Sequence, residues 1–344
     1  MHKGMLLLTV LLIGVMIAIP AILVRFDDED PLTKNNASGQ TALDSGPTIK
    51  VYLTEEKQVE KVPLERYIRG VVAAEMPADF HLEALKAQAM VARTYIVDRL
   101  AKGNFDDMQE MGGKAAEAHV TDSVNHQVYR NDEALKAEWG DKYDTYVKRI
   151  NQAVAETKGQ VILYEGEPIY AAFFSTSNGQ TENSEDYFSS SYPYLRSVPS
   201  PWDQASPKFN DQKSYSVQEF VQHLTQSTGK EVAVSASVGN GWLKVIEQTE
   251  GGRIAKIQVG DQVFTGRQVR EALDLSSSDF KWKVEGDTIT LTTEGYGHGV
   301  GMSQWGANLM GKKGKRAEEI IHYYYQGVTI AGMEKTLAQI EDDN

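Results

Sequence analysis

The chain has 344 residues, an apolar share of 41% and a formal charge of −13 at pH 7. It is long enough for one large domain or two ordinary ones, and it lacks the clustered Lys and Arg that nucleic acid or a polybasic membrane patch demands. With no cysteine, disulfides, thiolate metal ligands and cysteine nucleophiles are all excluded.

Gly4 to Val24 carries no charge and is long enough to cross a bilayer as a helix. Lys3 precedes it, and Asp27, Asp28, Glu29 and Asp30 follow. The positive-inside rule therefore predicts a cytoplasmic tip at residues 1–4, a single-pass anchor at 5–24 and a domain outside the cell membrane. A cleaved signal peptide is the alternative, although the apolar run exceeds a usual h-region and no A-x-A-like site precedes Arg25. Residues 25–48 are polar, aperiodic and rich in Pro, Gly, Ser and Asn, which predicts a flexible linker.

From Ile49 the pattern changes. IKVYL and VEKVPL predict a strand pair, and Leu64 to Ala74 a helix that stops near Glu75, because Pro77 disfavours α geometry at Met76. Leu82, Leu85, Ala89, Ala92, Ile96 and Leu100 recur at helical spacing, with Asp79 as expected N-cap. Residues 103–118 read as a loop. Tyr143, Val147, Ile150 and Val154 give another amphipathic helix, ended near Gly159, and the stretch around Glu165-Gly166-Glu167-Pro168 reads as a hairpin. Residues 208–285 read as a smaller inserted α+β unit, with capping boxes at Ser216–Glu219 and Thr265–Gln268 and alternating strands between them. A glycine-dense loop follows, then a helix carrying Ile320, Ile321 and Tyr324. The expected class is mixed α+β: one domain over 49–330 that carries the insert, then a polar tail at 331–344.

VVAAEMP places Glu75 at a helix end among apolar and small residues. The negative end of the macrodipole and desolvation both disfavour its ionised form, as a general acid requires; an ordinary solvated carboxylate is the alternative. Lys86 and Arg93, seven apart on one helix face, are candidates for binding substrate polar groups or for structural ion pairs. GYGHGVGMSQWGA (295–307) fits neither a dinucleotide fingerprint nor a phosphate loop, and Ser303 is not in a nucleophile elbow. It leaves His298 and Gln304 in a loop of close backbone approach. FFSTSNGQTENSEDYF (173–188) is crowded with hydroxyls and amides that suit a sugar or peptide. His119, His126 and Asp122 form at best an incomplete zinc shell, so no metal is expected.

AAEMP with EALKAQAMVARTY, FFSTSNGQTENSEDYF with PYLRSV, and GHGVGMSQWGA with IIHYYYQGV, in that order over roughly residues 49–330, resemble the stage II sporulation protein D family. The resemblance implies a membrane-anchored peptidoglycan lytic transglycosylase that needs no cofactor and acts on the mother-cell side of the septum during engulfment. It implies as partners denuded glycan strands, an amidase (stage II sporulation protein P) and the membrane protein M of the same stage. It makes Glu75 the catalytic acid. Around it, the residues themselves offer Lys86, Arg93, Ser175, Ser177, Thr181, Tyr194, His298 and Gln304 as substrate-binding candidates. Some relatives carry zinc-binding cysteines ahead of the Q-V-Y string; here His126 stands before Gln127-Val128-Tyr129, so that site is not carried over. A non-catalytic glycan-binding module and an amidase acting on stem peptides remain the rival readings.

Overall fold

The computed structural model describes residues 43–44, 46–233 and 240–342, and the expected anchor and most of the expected linker lie outside them. Among the described residues no helix is long and apolar enough to cross a membrane. Leu43 is already packed into the core and Asp44 pairs with Arg66 at 2.6 Å, so the chain is engaged before the first strand.

Thr48–Leu53 (β1) and Gln58–Pro63 (β2) form the expected antiparallel pair, with Ile49, Val51 and Leu53 turned inward. Helix α1, Leu64–Glu75, stops as Pro77 requires: Met76 is extended at φ −131° and ψ 135°. Helix α2, Leu82–Lys102, is capped by His81, whose side chain accepts the Glu83 N–H, and not by Asp79. The Phe80 N–H closes a turn onto the Pro77 carbonyl, which delays the helix by two residues. α2 is buried on nearly every side rather than along one stripe, because its alanines let α1, later helices and a strand pack around it.

The stretch expected as a loop at 103–118 instead contains helix α3, Asp106–Met111, and a 3₁₀ turn at Gly113–Glu117. Met108, Ala115 and Ala118 form a small satellite core there, too sparsely spaced to show as periodicity. Val120–Thr121 (β3) then pairs parallel to β1. Helices α4 (Asp132–Trp139) and α5 (Tyr143–Glu156) lead to the hairpin of β4 (Gln160–Tyr164) and β5 (Glu167–Pro168). Its turn residues Glu165 and Gly166 both have positive φ, the geometry that suits a tight antiparallel hairpin.

After β6 (Phe173–Phe174) and the short helix α6 (Ser184–Tyr187) comes the inserted unit. It holds β7 (Asn210–Ser216), α7 (Val217–Thr228), β8 (Leu243–Gln248), β9 (Ile254–Val259), β10 (Gln262–Thr265), α8 (Gly266–Ala272), β11 (Phe280–Glu285) and β12 (Thr288–Glu294). Both capping boxes form. Two antiparallel sheets, β10-β9-β8 and β11-β12-β7, enclose a separate core built on Phe220, Ile257, Phe264, Phe280 and Leu291.

The chain then returns to the main core. Met302–Ser303 (β13) pairs parallel to β6, and helices α9 (Gln304–Lys312) and α10 (Ala317–Tyr324) pack on α2. Strand β14, Thr329–Gly332, joins β4. The expected polar tail is a helix, α11 (Glu334–Asp342), held on α2 by Met333 and Leu337.

Candidate active site

Glu75 is the last residue of α1 and is half-buried. The Val128 N–H donates to its Oε1 at 3.0 Å. Burial raises the Glu75 pKa above the ordinary carboxyl range, and the Val128 N–H opposes that shift. No charged neighbour among the described residues contributes. The site is therefore a single carboxyl whose proton is favoured by desolvation.

The turn after Glu75 is clamped from two helices, α9 and α5. Gln304 Nε2, at the start of α9, donates to the Glu75 carbonyl at 2.9 Å. Arg149 on α5 donates to the carbonyls of Ala78 (3.1 Å) and Phe80 (2.7 Å). The His81 N–H donates to Asn308 Oδ1 at 2.8 Å, and Phe80 meets the Trp305 ring edge-on with centroids 4.9 Å apart. From the other side, Gly70 on α1 lets the 127–130 segment approach, since a Cβ there would lie 2.4 Å from the Tyr129 ring.

The glycine-rich stretch is held by a carboxyl that sequence reasoning missed. Asp203 is fully buried; it accepts from Ser303 Oγ, from the Ser177 N–H at 2.9 Å and from Ser200 Oγ at 2.6 Å. Burial raises its pKa against these donors. Ser303 caps α9, so Asp203 fixes the helix start that aims Gln304 at Glu75. Backbone donors and a lone Asp in a polar loop carry no distinctive pattern, so neither Val128 nor Asp203 was readable beforehand.

Of the expected substrate-binding residues, the structure brings Gln304 to Glu75, while the Ser175 carbonyl holds the same helix start by accepting the Trp305 N–H at 3.0 Å. Several others are internal. Arg93 is 0% exposed and forks onto Glu65 at 3.0 and 2.7 Å, because α2 is enclosed all round. Ser177 and Thr181 are buried and bonded to their own loop. The Tyr194 hydroxyl accepts the Tyr170 N–H. Lys86 is tied to Glu83 at 2.7 Å and Glu156 at 2.5 Å, so it serves an ion-pair network. His298 sits among Phe174, Tyr187 and Phe188, and burial beside Arg270 and Arg253 lowers its pKa to about 3.

His119, Asp122 and His126 are each engaged. His119 stacks on Phe105 and Asp122 accepts from Thr54, while His126 Nε2 lies 2.7 Å from Asp107 Oδ2. Among the described residues no group of ligands is arranged to hold a metal.

Comparison with known proteins places this geometry. The "Stage II sporulation protein" family model matches residues 52–164, the stretch that carries Glu75 and Val128. Stage II sporulation protein D of Bacillus subtilis (strain 168) is 47% identical over 300 residues, which is 87% of this chain and 83% of that protein. The chain belongs to the stage II sporulation protein D family. The Bacillus amyloliquefaciens member is 46% identical over 299 residues, again 87% of this chain and 83% of its own length. A more distant relative, the "Amidase enhancer" of Bacillus subtilis, is 27% identical over 76% of this chain and 40% of that protein. As a member of this family, the chain is a sporulation protein, and its mixed α+β fold carries the Glu75 site within the segment the family model covers.

Proposed function

We propose that the chain is a peptidoglycan lytic transglycosylase with Glu75 as its one acid and base. The observation that supports this reading is Glu75 itself: a half-buried carboxyl with a raised pKa and, among the described residues, no second acid shifting it. Hydrolytic glycosidases use two carboxylates across the bond, one for water or as nucleophile. A transglycosylase needs one, because the attacking hydroxyl belongs to the sugar. Glu75 gives its proton to the oxygen linking N-acetylmuramic acid to N-acetylglucosamine, and that bond breaks. The acetamido group steadies the positive charge at C1. The muramic C6 hydroxyl then bonds to C1, its proton returns to Glu75, and a 1,6-anhydro ring closes without consuming water.

The family supports a place in septal wall remodelling during sporulation. In this proposal the domain stands outside the mother-cell membrane and works on strands stripped by the amidase stage II sporulation protein P, beside stage II sporulation protein M. The relative named as an amidase enhancer favours a second reading, in which the domain binds glycan and stimulates a partner amidase without cutting.

Mass spectrometry of denuded glycan strands incubated with the chain separates the two. Products one water lighter than hydrolytic fragments, falling by about 10²- to 10⁴-fold with Glu75→Gln, are expected if Glu75 is the general acid. Cleavage that survives Glu75→Gln overturns the assignment. No cleavage by folded protein, with wall digestion by added amidase still enhanced, moves the function to the binding module.

A further inference from the structure

Between the main body and the inserted unit lies a cavity of about 220 Å³, lined in part by Arg253, Asp186 and His298. Glu75 does not line it. Arg253, the residue just before β9, is 1% exposed. Its Nη1 donates to Glu182 at 2.9 Å and to the Gln180 carbonyl at 3.1 Å. Its Nε and Nη2 are buried and have no hydrogen-bond partner among the described residues. A guanidinium with two unmet buried donors is costly, and its fork matches a carboxylate. The backbone is shaped around it: Gly299 has φ 88°, and a Cβ there would lie 2.5 Å from Arg253 Cζ.

A bare anion does not suit this cavity, because its wall sets Glu182, Glu185, Asp186 and Glu247 against Arg253, Lys256 and Arg267, the last paired with Glu271 at 2.7 Å. Three of these wall carboxylates are neutralised: Glu182 by Arg253, Glu185 by Arg196 at 2.6 Å and Glu247 by Lys256 at 2.6 Å. Asp186 has no ion pair among the described residues; only the Asn183 amide reaches it, at 3.2 Å. A ligand carrying both charges meets both needs. The volume lies below the range usual for drug-sized ligands, which points to a group of amino-acid size rather than a disaccharide.

We propose that this cavity binds the zwitterionic head of an α-amino acid, its carboxylate on Arg253 and its ammonium on Asp186. A wall peptide with a free amino-acid end offers that chemistry. The site is separate from Glu75 and stands whether or not the reaction assigned there is right.

The test is calorimetric titration of the full chain in detergent with alanine, using acetate and methylammonium as single-charge probes. Alanine is expected to saturate in the millimolar range, and each single-charge probe to bind roughly tenfold or more weakly, the factor for one charge-assisted hydrogen bond. Asp186→Asn, an exposed change that leaves the fold intact, and Arg253→Lys, which keeps the charge and loses the fork, should each weaken alanine by a similar factor. Glu75→Gln should leave it unchanged. Absence of saturable alanine binding, acetate binding as tightly as alanine, or parental affinity in Asp186→Asn each overturns the proposal.

Discussion

At Glu75 burial and the Val128 N–H pull the carboxyl in opposite directions, and burial prevails. The folded chain therefore holds this proton to higher pH than the unfolded chain does. Its contribution to stability is complete below the unfolded value, about 4.3, and is lost as pH rises through the folded value. Glu75→Gln removes the charge that must be buried, so it should melt at higher temperature than the parent at neutral pH. That advantage should shrink towards about pH 4, where the parent carboxyl is protonated in both states. Arg93 works the other way: it is charged, fully enclosed and paired with Glu65. Arg93→Met strands that carboxylate, for about 3–5 kcal/mol by chemical denaturation, whereas Arg93→Met with Glu65→Leu should recover most of it. Any activity lost in Arg93→Met should follow the folded fraction. Glu75 was legible because a carboxylate among small apolar residues before Met-Pro is unusual. Arg93 was not, since a cation seven residues from Lys86 looks the same on an open face as inside a bundle.

The elements that were readable are those whose local chemistry agrees with their surroundings. The β1–β2 pair, the stop of α1 at Pro77 and both capping boxes rest on alternation, one proline and short-range side-chain bonds. Helices α3, α9 and α11 were not expected, because each owes its place to long-range packing or to a buried network such as Ser303 with Asp203. The contact between α1 and the 127–130 segment is of that second kind and depends on Gly70 having no side chain. Gly70→Ala puts a methyl within 2.4 Å of the Tyr129 ring and 2.6 Å of the Arg130 carbonyl. Overpacking of this sort costs about 1–3 kcal/mol. The displaced segment also carries the Val128 N–H, which lowers the Glu75 pKa. Once that bond is stretched, the Glu75 pKa rises further. The alkaline limb of the pH–rate profile, where the acid loses its proton, should then move to higher pH in Gly70→Ala.

On the scale of the whole molecule, two hydrophobic cores are joined through charge. The inserted unit leaves and re-enters the main body at adjacent points, where the Gly295 N–H donates to the Phe209 carbonyl at 2.7 Å. Its core draws on residues from Phe220 to Leu291 and shares none with the main one. Excising residues 210–294 and closing the gap with a short turn should therefore leave the main core able to fold. What crosses the junction is polar: the Arg253–Glu182 pair, at 1% and 2% side-chain exposure, and Asn178 reaching Gly251 and Asp279. Excision removes Arg253 together with Thr249 and Gly251, the groups packed on the Glu182 carboxylate, and so returns that carboxylate to water. Glu182→Gln in the excised chain keeps the shape and removes the charge. Urea denaturation followed by circular dichroism should thus find Glu182→Gln close to neutral in the excised chain, within about 0.5 kcal/mol. In the full chain the same change should destabilise, because it leaves Arg253 as the uncompensated partner. Equal effects in the two backgrounds would mean that the pair does not couple the units.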